Sequence, residues 1–372
     1  MRILALNAYH GGSHRAFLDG WMAHSRHTFD TMTLPAYKWK WRMRHAAVTF
    51  AEQLRSPGYQ VQRWDALFCT DMLNLAEFRG LSHRAVYTLP TIAYFHENQL
   101  TYPNRENHER DLQYAFTNLT TCIAADAVWF NSAYHRDIYL SNIASWMRRM
   151  PDYQLTGAAE GILEKSSVHW PGVDLSPRSS PRSTGPIRIL WASRWEHDKN
   201  PQVFFDSLRI LQQERVPFRV KVLGESFGRV PTCFSAARDQ LSQHIDHWGY
   251  ASRREEYIDA VRSTDVVVST ALHEFFGIGV VEAVAVGNFP LVPRALAYPE
   301  VIGDDDDYFH DGSARGIAAR LAALSQRLAS TGSCWAESTA AAKIVGPYGW
   351  ATAARRMDQA VEQVCADKPT SD

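Results

Sequence analysis

Cysteine is scarce in this chain and badly placed for cross-linking. Cys69, Cys122, Cys233, Cys334 and Cys365 are odd in number, far apart and form no CxxC pair. A disulfide framework and a zinc ribbon are excluded, and a reducing, cytoplasmic setting fits. Long apolar runs are missing too. No uncharged stretch approaches the roughly 18 residues of a spanning helix, and the opening MRILALNAYHGG is too short in apolar residues for an export signal. The expectation is a cytoplasmic protein without a membrane partner. Asn118-Leu119-Thr120 has the form of a glycosylation acceptor, but without an export signal it reads as part of a helix. Net charge is also lacking: 39 Lys and Arg oppose 40 Asp and Glu, a formal −1. A protein that coats nucleic acid through many phosphate contacts needs a basic excess, so any RNA contact here must be local.

What is present is a core. Hydrophobic residues make up 45% of the 372, enough for about two domains. Short apolar runs alternate with helical patterns from the first residue: RILALNA, SHRAFLDGWMAHS, TFDTMTL, then a helix from about Trp41 to Arg55 with Met43, Ala47, Phe50 and Leu54 on one stripe. Further strands are expected at DALFCT, TIAYFHE, AVWFN and SSVHWPG. After the Pro- and Ser-rich VDLSPRSSPRSTGP the rhythm restarts, with IRILWAS, FRVKVLGE, HIDHWGY, DVVVST and FPLVP as strands. Parallel α/β architecture in two doubly wound domains follows. The expected division is an N-terminal acceptor domain over 1–174, a linker over 175–186, a donor domain over 187–347, and a C-terminal helix over 348–372. Trp350, Ala353, Met357, Val361 and Val364 give that helix one apolar face, for packing on its own domain or crossing back to the first. Ligands of such sheets bind beyond the carboxyl ends of the strands, which directs attention to a cleft between the domains.

Several strand ends carry chemistry. In STALHEFFGIGVVEAVAVG a helix starts near Gly277, and its free backbone N–H groups suit an anion such as a diphosphate. Glu274 precedes that helix and Glu282, separated from it by seven residues, lies over a turn further along, within reach of a ribose; as plain structure, the two are a cap and a surface charge. Arg194 and Lys199 in ASRWEHDKNP suit a departing diphosphate, or are simply solvated strand-end cations. In the first half, NAYHGGSH is neither a GxGxxG fingerprint nor a P-loop. Its Gly11 and Gly12 leave room for phosphate or sugar, or merely make the turn, with Ser13 as a candidate N-cap and His14 as a contact. In YFHENQLTYP, His96 and Glu97 are candidates for sugar binding or proton removal, with Asn98 beside them; no further ligand at metal spacing accompanies them. Asn131 and Ser132 in WFNSAYHRD are contacts of the acceptor or the cap of the next helix.

These residues together resemble the GT4-type retaining glycosyltransferases of the GT-B fold. Glu274 and Glu282 match that family's paired glutamates, Arg194 and Lys199 its diphosphate cations, and WPGVD its domain-junction NGVD, with Pro171 in place of the Asn. YHGGSHRAFLDGW, LPAYKWKWRMRHAA, YFHENQLTYP and WFNSAYHRDIYL further resemble tRNA-queuosine mannosyltransferases and their bacterial relatives. The resemblance implies mannose transfer from GDP-mannose, with retention, to the cyclopentene diol of queuosine in the anticodon loop of tRNA-Asp. It implies no metal and no cofactor beyond the donor substrate. It places Arg194 and Lys199 on the diphosphate, Glu282 on the ribose and Glu274 on the sugar hydroxyls. Phe275, Phe276, Gly277 and Ile278 form the same turn, Gly12 faces the donor, and Gly224-Glu225 and Gly249-Tyr250 border the nucleoside. His96 would contact sugar or acceptor, and catalysis would rest on stabilising the leaving group, without a covalent nucleophile. Transferases using another nucleotide sugar, such as UDP-galactose, or another acceptor share these motifs. A non-catalytic nucleotide-sugar or RNA-binding protein and a nucleotide-sugar epimerase are the remaining alternatives.

One local basic segment stands out of the neutral background. In YKWKWRMR, Lys38, Lys40, Arg42 and Arg44 alternate with Trp39 and Trp41. Single-stranded loops are held by stacking on rings and by phosphate contacts, so the segment is a candidate anticodon-loop contact. The alternative is two tryptophans packed in the core with the cations in water.

Overall fold

The computed structural model describes residues 1–60, 62–103, 111–175, 185–226 and 230–368; most of the expected linker, 176–184, lies outside them. The chain divides into two compact units, residues 1–172 with 350–372, and residues 173–349.

The first unit holds strands β1 (Arg2–His10), β2 (Thr28–Pro35), β3 (Ala66–Thr70), β4 (Thr91–Phe95), β5 (Ala127–Phe130) and β6 (Ser166–Val168), in the order β2-β1-β3-β4-β5-β6. All pairings are parallel, with Ile3 opposite Phe29 on one side and Ala66 on the other. A parallel sheet needs helices on both faces, and β1 shows both being buried. Leu4, Leu6 and Ala8 face one core cluster, Ile3 and Ala5 the other.

Helix α1 (Gly12–His24) supplies Phe17, Leu18 and Trp21 to the Ile3 face. Helix α2 (Trp39–Gln53) covers the opposite face with Met43, Ala47 and Phe50, followed by Leu54, which is the expected stripe. It starts two residues earlier than its pattern suggested, with Lys38 in the left-handed region at φ 50° as its cap. Helix α3 (Leu112–Ala124) buries Asn118, whose side chain donates to the Asp71 carbonyl (2.9 Å) and accepts from Gln99 N–H (2.8 Å). The glycosylation-like triplet is therefore helix interior. Helix α4 (Ala133–Met147) follows β5.

The second unit holds β7 (Ile187–Ala192), β8 (Phe218–Leu223), β9 (Ile245–Gly249), β10 (Val266–Val268), β11 (Phe289–Pro293) and β12 (Phe309–His310), ordered β12-β11-β10-β7-β8-β9. Counted within the unit this is the dinucleotide-binding order, and it reverses between β7 and β10. Helix α5 (Pro201–Gln213) buries Phe204, Leu208 and Leu211 as its spacing required; helix α6 (Arg254–Arg262) and helix α7 (Ile278–Ala285) complete the surroundings of the reversal point.

Helix α8 (Trp350–Asp367) belongs to the first unit. Ala353, Met357 and Val361 pack against Phe17 and Trp21, and the buried Asp358 carboxylate accepts from Trp21 Nε1 (2.9 Å), Ser25 Oγ (2.6 Å) and Arg26 N–H (2.9 Å). Three donors satisfy one buried charge, which fixes the helix rotation as well as its contact.

Candidate active site

In the second unit the residues beyond β7 and β10 meet. Lys199 is buried, and its Nζ donates to the His273 carbonyl (2.7 Å) and to Glu274 Oε2 (3.2 Å), with Asp198 Oδ2 at 3.3 Å. Burial works against the Glu274 charge, but Lys199, by charge and hydrogen bond, outweighs it and holds the carboxyl below its ordinary value. Burial, with the Lys199 charge adding, pushes the His273 imidazole down to about 4. Arg194 is the more exposed cation, with Glu196 Oε2 at 3.8 Å. Thus one cation is locked in place and the other reaches toward solvent.

Gly277 caps α7 at φ 85°, where a Cβ would also stand 2.8 Å from the Tyr298 ring; glycine is required twice over. Gly277 has no side chain to cap that helix, so its first N–H groups lack the usual N-cap acceptor. Ile278 opens the helix. Phe275 and Phe276, expected at the donor, are buried against His273 and Tyr348 respectively, so only their backbone is available there. Their apolar rings complete the core under the turn.

Glu282 is fixed by two residues the sequence reading missed. Arg254 donates to its Oε1, and Tyr257 Oη to its Oε2 at 2.9 Å. Both stand on α6, more than twenty positions away, and nothing local in REEYIDAVR announces them. Gly224 lets β8 close on β7: a Cβ would fall 1.9 Å from the Ser193 carbonyl oxygen. The Glu225 carbonyl accepts from Trp195 N–H at 3.0 Å, and Gly249, the last residue of β9, has φ 124° with open space where a Cβ would stand and Tyr250 exposed beyond it.

In the first unit the carboxyl ends of β1, β3, β4 and β5 gather His14, Asp71, His96, Glu97, Asn98 and Asn131. The His14 and His96 rings lie 4.0 Å apart. Burial, with His14 and His135 near, keeps the His96 imidazole neutral, well below its usual pKa, and its Nε2 is buried without a hydrogen-bond partner among the described residues. Asp71 accepts the His96 N–H at 3.0 Å; burial and the neighbouring Glu97 charge push its carboxyl up. Asp71 was missed, although it directly follows the β3 run ALFCT and so stands at the strand end as His96 does.

Two expectations, at Ser13 and Asn98, need correction here, and the alternatives left open at Asn131 and Ser132 are decided. Ser13 is not an N-cap: Gly11 holds that position, and Ser13 is exposed inside the first turn of α1. Gly11 itself serves packing, since a Cβ would overlap Ala36, whereas Gly12 at φ 50° faces open space. Asn98 does not present its amide to an acceptor. It is fully buried, donating to Thr101 Oγ1 (2.8 Å), meeting His135 Nε2 (3.0 Å), and accepting from the N–H groups of Leu100 and Thr101. Ser132 is the cap of α4, accepting from His135 N–H at 2.9 Å, and Asn131 bridges the His96 carbonyl and His135. Short polar side chains at strand ends satisfy local backbone before they reach a ligand.

The basic segment divides. Trp39 is half-buried against the core, but Trp41 remains 59% exposed. Lys38 and Lys40 are exposed; Arg42 donates to the Pro35 carbonyl (2.9 Å) and Arg44 Nε to Tyr114 Oη (2.8 Å). Among the described residues no group of three His, Cys, Asp or Glu is arranged to hold a metal, and no helix is long and apolar enough to cross a membrane.

Comparison with known proteins adds lineage to this geometry. Residues 2–173 match the family described as tRNA-queuosine alpha-mannosyltransferase N-terminal, and residues 173–327 match glycosyl transferases group 1. The chain is 35% identical over 319 residues to a tRNA-queuosine alpha-mannosyltransferase of Drosophila melanogaster, covering 82% of this chain and 83% of that protein. It is 26% identical over 166 residues, 42% of each chain, to a GDP-mannose-dependent alpha-(1-6)-phosphatidylinositol dimannoside mannosyltransferase of Mycobacterium tuberculosis. Among solved structures, sucrose-phosphate synthase from Thermosynechococcus elongatus superimposes with a TM-score of 0.73 at 14% identity, over 99% of this chain and 100% of that one. A glycosyltransferase from Rickettsia africae gives 0.65 at 13% identity over 99% of each chain. At such identities the likeness is one of fold, the GT-B fold. The chain is a glycosyltransferase, and it belongs to the tRNA-queuosine alpha-mannosyltransferase family.

Proposed function

We propose that this enzyme transfers mannose from GDP-mannose, with retention, to the cyclopentene diol of queuosine in the anticodon loop of tRNA-Asp, in the cytoplasm. The observation that carries the reading is the 35% identity, sustained over 319 residues, to a curated enzyme named for that acceptor and that sugar. A second relative named as GDP-mannose-dependent supports the donor.

In this reading the donor diphosphate lies over the start of α7, between its uncapped N–H groups, the fixed Lys199 ammonium and the more exposed Arg194. As the bond to the sugar lengthens, charge grows on the phosphate oxygens, and groups already oriented toward it stabilise that charge without reorganising. Lys199 is oriented by the His273 carbonyl and Glu274 before any ligand arrives. Glu274, kept ionised by Lys199, has its remaining acceptor capacity for sugar hydroxyls. Glu282, steered by Arg254 and Tyr257, accepts from the ribose. The leaving phosphate takes the acceptor proton on the same face, which accounts for retention without a covalent intermediate. Two cations and a helix start supply the positive field, so the reading calls for no metal.

The test is mass spectrometry of nucleosides digested from queuosine-containing tRNA-Asp after incubation with protein and GDP-mannose. One added hexose on queuosine is expected. No hexose with either GDP-mannose or UDP-galactose would overturn the acceptor; transfer from UDP-galactose alone would overturn the donor.

A further inference from the structure

A polar pocket of about 420 Å³ opens in the first unit where three helices begin. Arg44 and Met43 come from α2, Asn74 and Glu77 from the start of helix Leu75–Leu81, and Tyr114 and Gln113 from the start of α3. These helices follow β2, β3 and β4, so the pocket lies on the sheet edge that carries His96 and Glu97.

Its walls are of two kinds. Tyr114 is buried, set edge-on to Trp39 at 5.1 Å, and the Arg44 guanidinium lies 5.1 Å over its ring while donating to its hydroxyl. Asp111 at 3.6 Å offsets the Arg44 charge. Arg44 and Tyr114 thus put a guanidinium and an aromatic ring, the groups on which bases stack, together in the pocket lining. Opposite stands Glu77. Its backbone N–H is taken by Asn74 Oδ1 (3.2 Å), but its carboxylate makes no hydrogen bond or ion pair among the described residues. A half-buried acceptor without a donor, beside an aromatic and a guanidinium plane, matches a ligand that is flat and offers N–H groups. A phosphate is disfavoured, because Glu77 would repel it and Arg44 is already paired.

We propose that this pocket takes one unstacked base of the acceptor RNA carrying an exocyclic amino group, stacked on Arg44 and donating to Glu77. The proposal rests on the tRNA reading above. In an aspartate anticodon the genetic code makes the last letter cytosine, whose amino group a carboxylate reads directly. Uracil puts a carbonyl oxygen in that position, facing Glu77 acceptor to acceptor.

The experiment compares anticodon stem-loops with cytosine or uracil at that letter, binding to the full-length protein and to Glu77→Gln, alongside mannosyl transfer. Wild type is expected to prefer cytosine roughly tenfold. Glu77→Gln, isosteric but able to donate as well as accept, is expected to lose most of that preference with GDP-mannose affinity unchanged. Equal preference in the two proteins would overturn the proposal, as would a wild type indifferent to the base. A phosphate occupant would show differently: Arg44→Ala would lower the salt dependence of binding and Glu77→Gln would change nothing. Base preference in binding without transfer to queuosine would sink the activity reading alone. Transfer without base preference would sink the pocket alone.

Discussion

The two sheets present the same kind of edge and furnish it in opposite ways. Beyond β7 and β10 the second unit sets Arg194, Lys199, Glu274 and Glu282 with its partner Arg254, ions held in pairs. Beyond β1, β3, β4 and β5 the first unit sets a neutral His96, asparagines hydrogen-bonded to His135 and to backbone, and the carboxyls of Asp71 and Glu97, with no lysine or arginine among them. A charged edge with an uncapped helix start suits a ligand whose own charge grows during reaction. An edge without cations, largely pre-packed, suits one recognised by shape and hydroxyl groups. The difference teaches that parallel strands, in either order, fix where a ligand binds, while polarity is set by a few strand-end residues.

The comparison is broken most severely at Lys199. Lys199→Ala is expected to lower transfer about 10³-fold, and to destabilise the second unit by leaving Glu274 half-buried and uncompensated. Pairing it with Glu274→Gln should recover the stability, read by urea denaturation, and none of the activity. If Lys199→Ala alone keeps activity, the charged edge is not the reaction centre. Next comes the first unit's own buried charge: Asp358→Ala leaves Trp21, Ser25 and Arg26 donors unmet and should cost about 3 kcal/mol in its unfolding while GDP-mannose binding persists. Glu282→Gln should raise the KM for donor about tenfold with kcat little changed, and Tyr257→Phe less than that, by steady-state kinetics.

A smaller effect sharpens the contrast through pH. Burial holds both His169 and His273 near 4 in the folded protein, against an ordinary 6.5. Between those values the unfolded chain binds protons that the folded one refuses. Stability should therefore be complete above about pH 6.5 and fall steadily as pH drops toward 4, measured as a declining Tm. The smallest effect is expected at the exposed cations: Lys40→Glu should reduce the salt dependence of RNA affinity by about 0.7 in the logarithmic slope for each phosphate it leaves unneutralised.

Much of the frame was legible because it follows periodicity. The Met43, Ala47, Phe50, Leu54 stripe, the Phe204, Leu208, Leu211 face and the apolar side of α8 are all repeats of 3.6, and all are buried where they should be. What failed was polarity at strand ends. Asn98 has the side chain of a ligand contact, yet it is spent on Thr101, His135 and the backbone around it, and between contact and cap at Ser132 the cap prevails, choices decided by local turn geometry that residue type does not encode. Arg254 and Tyr257 escaped for another reason: they act on Glu282 across 28 and 25 positions, a separation that only the folded sheet closes. Asp71 had the one usable signal, its place directly after a strand.

Helix α8 completes the core of the first unit, yet it is made after residues 173–349. On a ribosome adding about 5–20 residues per second, the apolar surface of α1 and β1 that α8 covers stays open for roughly ten to forty seconds while the second unit is synthesised. The first unit is thus begun first and finished last, and that interval is when chaperones or aggregation would find it.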